Sequence, residues 1–343
     1  MREKKHMIKK IAKIILRAMS FLLVTVLMVV IGVLGVIFVL EKGPSPTAKK
    51  LFVLSVRETS AIGFLANLYL SDEEVAALTI SEEIIIPVDN TDPSLIDIPT
   101  PTPSNGPDEG NDDPEEDGGI EIIRIQGALY EGVMMIVKDP TRVFVGLTSE
   151  LGIKGQYLAD MVKDNNAIAG INAGGFVDSI GGGQEGFPAG IVIQDGKLTW
   201  GEPNVVYQVT GFDINGILHV GMMTPEEALE KKMQCAVSFG PPLIINGVVQ
   251  NFESDLISGL NPRTAIGQRS DGAVLMLVID GRRMDSLGAS YQDIADIMTE
   301  YGAVNASNLD GGSSTLMIYE GEVLNVCASV TGPRLMPTSF LVR

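Results

Sequence analysis

A run of 23 residues without a single charge, residues 18–40, constrains what this chain can fold into more than any other feature. As a helix rising about 1.5 Å per residue, it reaches roughly 35 Å, enough to cross a hydrocarbon core of about 30 Å. Seven basic residues and one acid precede it, so residues 1–17 carry a formal charge of 7 − 1 = +6. Because basic flanks stay in the cytoplasm, we expect a cytoplasmic tail at 1–17 and a transmembrane signal anchor at 18–40.

A cleaved signal peptide is the alternative interpretation of this run. Such peptides have an apolar stretch of about 7–15 residues and a cleavage site of small residues. The run here is longer and continues into Glu41-Lys42-Gly43-Pro44, which favours a retained anchor. Cys235 and Cys327 then lie in a compartment where disulfides form, and both pairing and two separate buried thiols are compatible with their spacing.

Two further segments precede the main domain. Residues 41–81 have apolar side chains at helical spacing, which predicts a juxtamembrane helical stalk or, equally, a packing extension of the domain. Residues 82–119 contain 12 acidic residues, seven prolines and no Lys or Arg. Such a composition buries too little apolar surface to offset its ordering entropy, so it predicts a disordered, extended linker.

The charge and residue counts exclude several function classes. A formal net charge of −18 is unsuited to binding the phosphate backbone of nucleic acids. Two Cys and two His, His6 and His219, argue against zinc sites and most His-based triads. Acidic phosphate sites often recruit divalent cations, but no set here has a diagnostic spacing, so no cofactor is predicted. The oligomeric state is left open.

Residues 120–343 predict one globular domain of mixed α+β class, largely a mixed β-sheet with flanking helices. Two strand–helix–strand patterns occur, at 142–172 and 272–309, and parallel pairing is expected within each. Hairpins are predicted around Asp195-Gly196 and Glu320-Gly321. Ser290 is a predicted helix N-cap with Asp293 three residues later, and Gly302 is the predicted C′ residue of that helix.

Polar residues stand where three predicted strands end. Asn172, Asp280 and Asp310 are each followed closely by glycine. Ligands of open α/β sheets bind beyond the carboxyl ends of the strands, so these side chains are expected to converge on one edge. An Asp-Gly pair after a strand is most often only a turn, and the prediction therefore rests on the three occurring together.

Several stretches resemble the phosphodiester glycosidase family over about residues 120–343. They are AIAGINAGGFVDSIGGGQEGFPAG, NPRTAIGQRSDGAVLMLVIDGRR, the segment ending in NLDGGSSTLMIYEGEVLN, and Arg334-Leu335-Met336-Pro337. The resemblance implies hydrolysis of a sugar-1-phosphodiester at the anomeric carbon, on a cell-surface or exopolysaccharide glycan. Many relatives have three glycines in the Asn-Leu-Asp-Gly-Gly-Gly-Ser motif, whereas here Ser313 follows Gly311-Gly312, which puts the role of Ser313 in doubt.

The chemistry implied by the family needs carboxylates and arginines but no histidine. Breaking the C1–O bond builds positive charge on the sugar ring, which a carboxylate stabilises, while the departing phosphate needs its charge neutralised. We expect Asp310 to be the leading catalytic carboxylate, with Asp280, Asp178 and Glu185 as further candidates. The residues expected to bind sugar or phosphate are Asn172, Gly175, Arg263, Thr264, Arg282, Gly311, Gly312, Ser313 and Ser314.

Several of these residues have a structural alternative. Asp310 would cap the turn after its strand, Arg263 would form a structural ion pair, and Asn172 would cap a buried strand end. Two other functions also stay open, namely a non-catalytic module that binds cell-surface polysaccharide and a transferase that passes the sugar phosphate to a polymer hydroxyl. The expected partners are thus a glycan phosphodiester and a membrane.

Overall fold

One long helix dominates the N-terminal unit of the chain, Met1–Ile80. The computed structural model describes residues 2–57, 63–79, 91–98, 119–177, 185–252, 259–329 and 331–343. Helix α1 (Arg2–Lys42) contains a stretch, Lys13–Lys42, that is long and apolar enough to cross a membrane. Helices α2 (Pro46–Arg57) and α3 (Asp72–Thr79) follow, with a 3-10 turn at Gly63–Asn67 between them.

A small apolar cluster joins α2, the 3-10 turn and α3. Its buried members are Val53, Val56, Ala66, Leu70 and Val75. Both α2 and α3 lie within residues 41–81, where apolar residues recur at helical spacing.

The second unit, Ser81–Arg343, contains three β-sheets and three helices in its described part. Its helices are α4 (Leu158–Asp164), α5 (Pro225–Glu230) and α6 (Tyr291–Glu300). Its strands are β1 (Ile120–Gln126), β2 (Glu131–Val137), β3 (Val143–Leu147), β4 (Ala169–Asn172), β5 (Val192–Gln194), β6 (Lys197–Trp200), β7 (Tyr207–Asp213), β8 (Leu218–Met223), β9 (Met233–Ser238), β10 (Pro242–Ile245), β11 (Val248–Val249), β12 (Arg263–Arg269), β13 (Val274–Ile279), β14 (Ala303–Leu309), β15 (Met317–Tyr319), β16 (Glu322–Val323) and β17 (Thr338–Val342). The mixed α+β class is confirmed.

The pairing of the strands differs from the prediction. The first sheet has the order β1-β2-β13-β12-β14-β10-β11, the second β16-β15-β4-β17-β3 and the third β6-β5-β9-β7-β8. Every pair among these described strands is antiparallel, so the predicted parallel pairing is wrong. In both strand–helix–strand units a third strand lies between the two expected partners. Strand β12 separates β13 from β14, and β17 separates β3 from β4.

The inner faces of the three sheets share one core. Side chains alternate between the two faces of each strand. Both faces of β2 are buried, because one faces the shared core and the other faces the helix that covers the first sheet. The shared core includes Val133, Met135, Ile266 and Met276 of the first sheet, Val145, Ile171 and Phe340 of the second, and Phe212, Val220 and Val237 of the third. Each outer face is covered by one helix: α6 on the first sheet, α4 on the second and α5 on the third.

Local signals in the sequence account for the helix ends and the hairpins. Ser290 and Asp293 form the predicted capping box of α6, and Gly302 follows the helix at φ +83°. Thr224 and Glu227 form a second capping box at α5. Strands β5 and β6 form the hairpin predicted around Asp195-Gly196, and β15 and β16 the one around Glu320-Gly321.

A segment of the predicted linker, residues 91–98, lies against the domain. Thr91 Oγ1 accepts a hydrogen bond from the Val220 amide of the edge strand β8, and the Asp97 amide donates to the Ser270 carbonyl at 2.7 Å. Ile96 is buried, and Ile98 lies over Gly272 in the β12–β13 turn. The linker prediction is therefore wrong for these eight residues; the rest of the predicted linker except Gly119 lies outside the described residues.

Candidate functional site

The ends of β13 and β14 lie on the same edge of the first sheet. Both strands run antiparallel to β12, with Arg263 opposite Ile279 and Thr264 opposite Leu309. Asp280 and Asp310 are the next residues along the chain, so they emerge from the same edge on either side of β12, two strand spacings or about 10 Å apart. Two of the three residues expected at one edge, Asp280 and Asp310, therefore share it, through antiparallel pairing with β12, whereas Asn172 ends β4 of the second sheet.

Asp310 lines a cleft of about 540 Å³ between the first and third sheets. Of the predicted residues, Gly175 lines the same cleft. Its other described lining residues are Phe176, Ala189, Val206, Tyr207, Gln208, Met222, Ser238, Phe239 and Gly240. Gly175 permits a close approach, because a Cβ there would lie 2.7 Å from the Phe239 ring.

Asn172 fixes the main chain of Asp310 from below the cleft. Its buried amide nitrogen Nδ2 donates to the Asp310 carbonyl at 2.5 Å, while Oδ1 accepts from Thr264 Oγ1 at 2.7 Å and from the Leu316 amide at 3.1 Å. The Asp310 amide in turn donates to the Ala173 carbonyl. Asn172 thus caps the end of its strand from inside the protein, which is its structural alternative, and Thr264 is one of its hydrogen-bond partners.

The guanidinium of Arg282 lies against the backbone of the turn that follows Asp310. Gly312–Ser314 forms a 3-10 turn, in which Gly312 has φ +60° and donates its amide to the Pro262 carbonyl. A Cβ at Gly312 would lie 3.3 Å from Arg282 Nη2, so glycine leaves space for this side chain. Arg282 also donates to Asn261 Oδ1 at 3.3 Å, Ser313 is partly exposed and Ser314 is buried.

The Asp280 carboxylate binds another loop. Its Oδ1 accepts from the Val326 amide at 2.9 Å and from Asn325 Nδ2 at 3.1 Å, and Oδ2 lies 3.4 Å from Arg283 Nη1. Burial raises the pKa of the Asp280 carboxyl, although the Val326 amide, Asn325 and Arg283 act in the opposite direction. Asp280 shares the sheet edge with Asp310 but does not line its cleft.

Arg263 lies on the helix side of the first sheet, which the sequence analysis did not anticipate. Its Nε donates to the Ala289 carbonyl, its Nη2 donates to the Gly259 carbonyl, and its guanidinium lies 4.4 Å from the ring centroid of Tyr291 in α6. Neighbouring residues of a strand point to opposite faces, so Thr264 faces the shared interior while Arg263 does not. The structure therefore separates Arg263 from the Asp310 cleft.

Glu185 does not line the cleft but contacts Arg334, which stacks on a residue of the cleft wall. It pairs with Arg334, whose Nη2 lies 2.6 Å from Oε1, and the Arg334 guanidinium stacks 4.8 Å from the centroid of Phe176. Because Phe176 lines the cleft, this pair supports one of its walls. Asp178 lies outside the described residues.

Most residues of the cleft wall were not predicted from the sequence. Ser238 is the last residue of β9, and Phe239 and Gly240 follow it, so the rule of polar residues and glycine at strand ends would have found this segment. Nothing in the sequence around Tyr207 and Gln208 marks them as site residues. Cys235 and Cys327 are free, and burial raises the pKa of the Cys235 thiol to about 12, which keeps it protonated.

Among the described residues, no group of three or more His, Cys, Asp or Glu is arranged to hold a metal ion. The Asp280 carboxylate and the Asn172 amide bind other groups of the same chain.

A family model described as phosphodiester glycosidase matches residues 165–343. This match covers more than half of the chain and contains β4, the cleft residues, the Asp310 turn and Arg334. It agrees with the resemblance drawn from the sequence motifs.

Two curated proteins are similar to the chain over part of their length. The SPbeta prophage-derived uncharacterized protein YomE of Bacillus subtilis (strain 168) is 28% identical over 199 residues, covering 54% of this chain and 29% of that protein. The N-acetylglucosamine-1-phosphodiester alpha-N-acetylglucosaminidase of Mus musculus is 25% identical over 221 residues, covering 58% of this chain and 42% of that protein. The chain therefore spans less than half the length of these relatives.

The fold is similar to that of a solved catalytic domain. The zebrafish N-acetylglucosamine-1-phosphodiester alpha-N-acetylglucosaminidase catalytic domain, auto-inhibited by its pro-peptide, superposes with a TM-score of 0.55 at 21% identity. The likeness covers 65% of this chain and 81% of that one. At this identity it is a likeness of fold.

Proposed function

The chain belongs to the phosphodiester glycosidase family, and from that premise we propose that it hydrolyses the anomeric C–O bond of sugar-1-phosphodiesters. The observation that carries the proposal is Asp310, which lines the cleft and begins the glycine turn against which Arg282 lies. The mouse relative acts, by its name, on N-acetylglucosamine-1-phosphodiesters, so this sugar is the first to test.

The proposed role of Asp310 follows from the charge that develops during the reaction. As the C1–O bond breaks, positive charge grows on the sugar ring, and the Asp310 carboxylate stabilises it as a nucleophile or as the base for water. The bonding electrons leave with the phosphate monoester, whose second pKa of about 6 makes it a good leaving group near neutral pH. Strong general-acid help is therefore less necessary than for an ordinary glycoside.

Arg282 is the arginine we propose for the departing phosphate. Its guanidinium lies against Gly312, two residues from Asp310 along the chain, whereas Arg263 donates to the backbone on the helix side of the sheet. A planar guanidinium matches two phosphate oxygens at once and neutralises their charge. Ser313, which is partly exposed in the same turn, is the proposed hydroxyl donor.

We also propose that α1 anchors this domain to the outer face of the cell membrane. The basic residues precede the apolar stretch, and this order favours a cytoplasmic N-terminus. The proposed substrates are then phosphodiester-containing glycans of the cell surface or of exopolysaccharide.

The test uses the full chain in detergent with N-acetylglucosamine 1-(methyl phosphate) as substrate. We expect release of the free sugar, and a fall in kcat of about 10²-fold or more for Asp310→Asn, since the amide cannot stabilise the positive charge. Asp195→Asn, in the β5–β6 turn, is the matched control and should leave kcat unchanged.

Three other outcomes would contradict the proposal in different ways. Turnover retained by Asp310→Asn would remove Asp310 from the mechanism. Binding of the diester by the wild-type chain without any turnover would favour the polysaccharide-binding module. Transfer of the sugar or its phosphate to an added alcohol, in place of hydrolysis, would favour the transferase.

A further inference from the structure

The cleft that holds Asp310 is amphipathic, with ring and aliphatic side chains over most of its wall. Phe176, Phe239, Val206 and Met222 supply apolar surface. A pyranose ring has a matching character, with C–H groups on its faces and hydroxyl groups around its edge. Side chains with apolar bodies therefore suit the ring faces, and a few placed polar groups decide which hydroxyl pattern is accepted.

Gln208 is the side-chain amide of this wall. It lies on β7 opposite Met222 of β8, and the two residues line the cleft together. Within the part of the chain that the structure describes, the Gln208 amide forms no hydrogen bond with another residue. An amide offers both donors and an acceptor, and leaving them without a partner in a ligand-filled cleft would cost free energy.

Gly240 leaves the space that the Gln208 amide occupies. A Cβ at residue 240 would lie 2.0 Å from Gln208 Oε1 and 2.8 Å from Nε2, so any larger residue there would displace the amide. The Gly240 carbonyl accepts from Asn308 Nδ2 at 2.8 Å, and Asn308 is two residues before Asp310 on β14. Gly240 thus connects the strand that ends at Asp310 with the amide of Gln208.

We propose that Gln208 hydrogen-bonds one hydroxyl group of the sugar bound against Asp310 and selects sugars by that group. The proposal rests on the proposed function, because it assumes that the anomeric carbon lies at Asp310. It assigns the third sheet the recognition of the sugar and the first sheet the chemistry. Gln208 is a specificity-determining residue, and the hydroxyl it contacts is identified by the experiment.

The experiment compares Gln208→Met with wild type in the full chain, on N-acetylglucosamine 1-(methyl phosphate) and its 3-, 4- and 6-deoxy forms. Methionine keeps the length of glutamine but removes its hydrogen bonds. We expect KM for the parent substrate to rise about 10-fold with kcat within about 2-fold of wild type. For the deoxy substrate that lacks the contacted hydroxyl, wild type and variant should have equal KM.

Two variants separate recognition from a general loss of structure. Gln234→Met makes the same change on β9, where the side chain lies against Gly196, and should leave all KM values unchanged. Gly240→Ala leaves Gln208 in place but displaces its amide, so it should reproduce the selective loss if Gln208→Met fails to fold.

The results distinguish this inference from the proposed function. If Asp310→Asn loses turnover while Gln208→Met and Gly240→Ala keep KM within 2-fold on every substrate, the inference is overturned and the proposed function stands. A rise in KM of the same size on all deoxy substrates also overturns it. If wild type turns over none of the diesters, the proposed function fails, and calorimetric titration of the same diesters then decides whether Gln208→Met weakens binding selectively; no binding overturns both.

Discussion

At the scale of single residues, the strand face decides which polar groups take part in the site. Arg263 and Thr264 are adjacent in the sequence, yet Arg263 contacts Tyr291 of the covering helix while Thr264 donates to Asn172 in the interior. Asn172 in turn holds the Asp310 carbonyl. Its three hydrogen bonds join β4, β12, Leu316 and the Asp310 turn, so we expect Asn172 to position Asp310, the proposed catalytic residue.

Asn172→Asp tests this positioning role, because the change removes one hydrogen bond of the three. An aspartate oxygen still accepts from Thr264 and Leu316, but an ionised carboxylate cannot donate to the Asp310 carbonyl and repels it. We expect kcat to fall about 10- to 100-fold with a smaller change in KM, since small displacements of a reacting group are costly. Steady-state kinetics and thermal melts of the full chain provide the measurements.

Thr264→Val is the matched control for this variant. It removes the Thr264 hydroxyl and its bond to Asn172 Oδ1 but leaves the bond from Asn172 to Asp310. Its kcat should therefore fall much less. A kcat of Asn172→Asp equal to that of Thr264→Val, with a similar loss of thermal stability, would contradict the positioning role.

At the scale of elements, strands outside each strand–helix–strand pattern complete the sheets. In the β13–α6–β14 unit, β12, which forms a hairpin with β13, lies between β13 and β14. In the β3–α4–β4 unit, the distant strand β17 lies between β3 and β4. Residues 91–98 likewise cover the outer edge of β8 and the turn at Gly272. An exposed edge strand invites pairing with other chains, so this segment protects the domain as well as stabilising it.

Ile96→Asp tests whether the 91–98 segment stabilises the domain. Ile96 is 7% exposed, and burying an isoleucine side chain contributes about 1.5–3 kcal/mol. We expect the variant to lower the Tm of the domain by roughly 5–10 °C, measured on the full chain in detergent. The neighbouring Leu95→Asp is the control, because Leu95 is 42% exposed and should tolerate the charge. Equal melting temperatures for the two variants would show that the segment adds no stability.

At the scale of the whole molecule, the chain combines an apolar helix with an acidic domain. The apolar side chains of α1 are largely exposed, as a segment solvated by lipid requires. One N-terminal helix of this kind is compatible with a membrane anchor and with a signal peptide. The substrates within reach differ between these cases. An anchored protein would act on glycans near the membrane, and a protein released by cleavage of a signal peptide would act on glycans in the medium.

Fractionation of expressing cells separates the anchor from the signal peptide. We expect the full-length chain to stay with membranes after alkaline carbonate washing, since a spanning helix resists extraction, and a chain starting at residue 45 to stay soluble. Protease added to intact spheroplasts should digest the domain if it lies outside. A shortened mature protein in the medium would instead indicate cleavage of a signal peptide.

Much of the fold and part of the site could be predicted from local patterns. Runs of apolar residues predicted the strand that ends at Asn172 and the strands that end just before Asp280 and Asp310, and capping residues predicted the start of α6. The glycine after each strand end indicated the sheet edge where Asp310 lies. Gln208 and Tyr207 carried no such signal, because a polar residue near a strand start is ordinary in any sheet.

The apolar helix, the mixed α+β class and the family resemblance could all be inferred from residues close together in the chain, and the same motifs predict Asp310 as the leading acid. The antiparallel pairing of the strands, the position of Arg263 against a helix, the contact of Asn172 with Asp310 and the place of Gln208 in the cleft are known only from the three-dimensional structure. These features depend on which distant strands become neighbours. The pairing of the strands depends on burying the inner faces of three sheets in one common core. Because that core is built from residues far apart in the chain, no short stretch of sequence specifies the pairing.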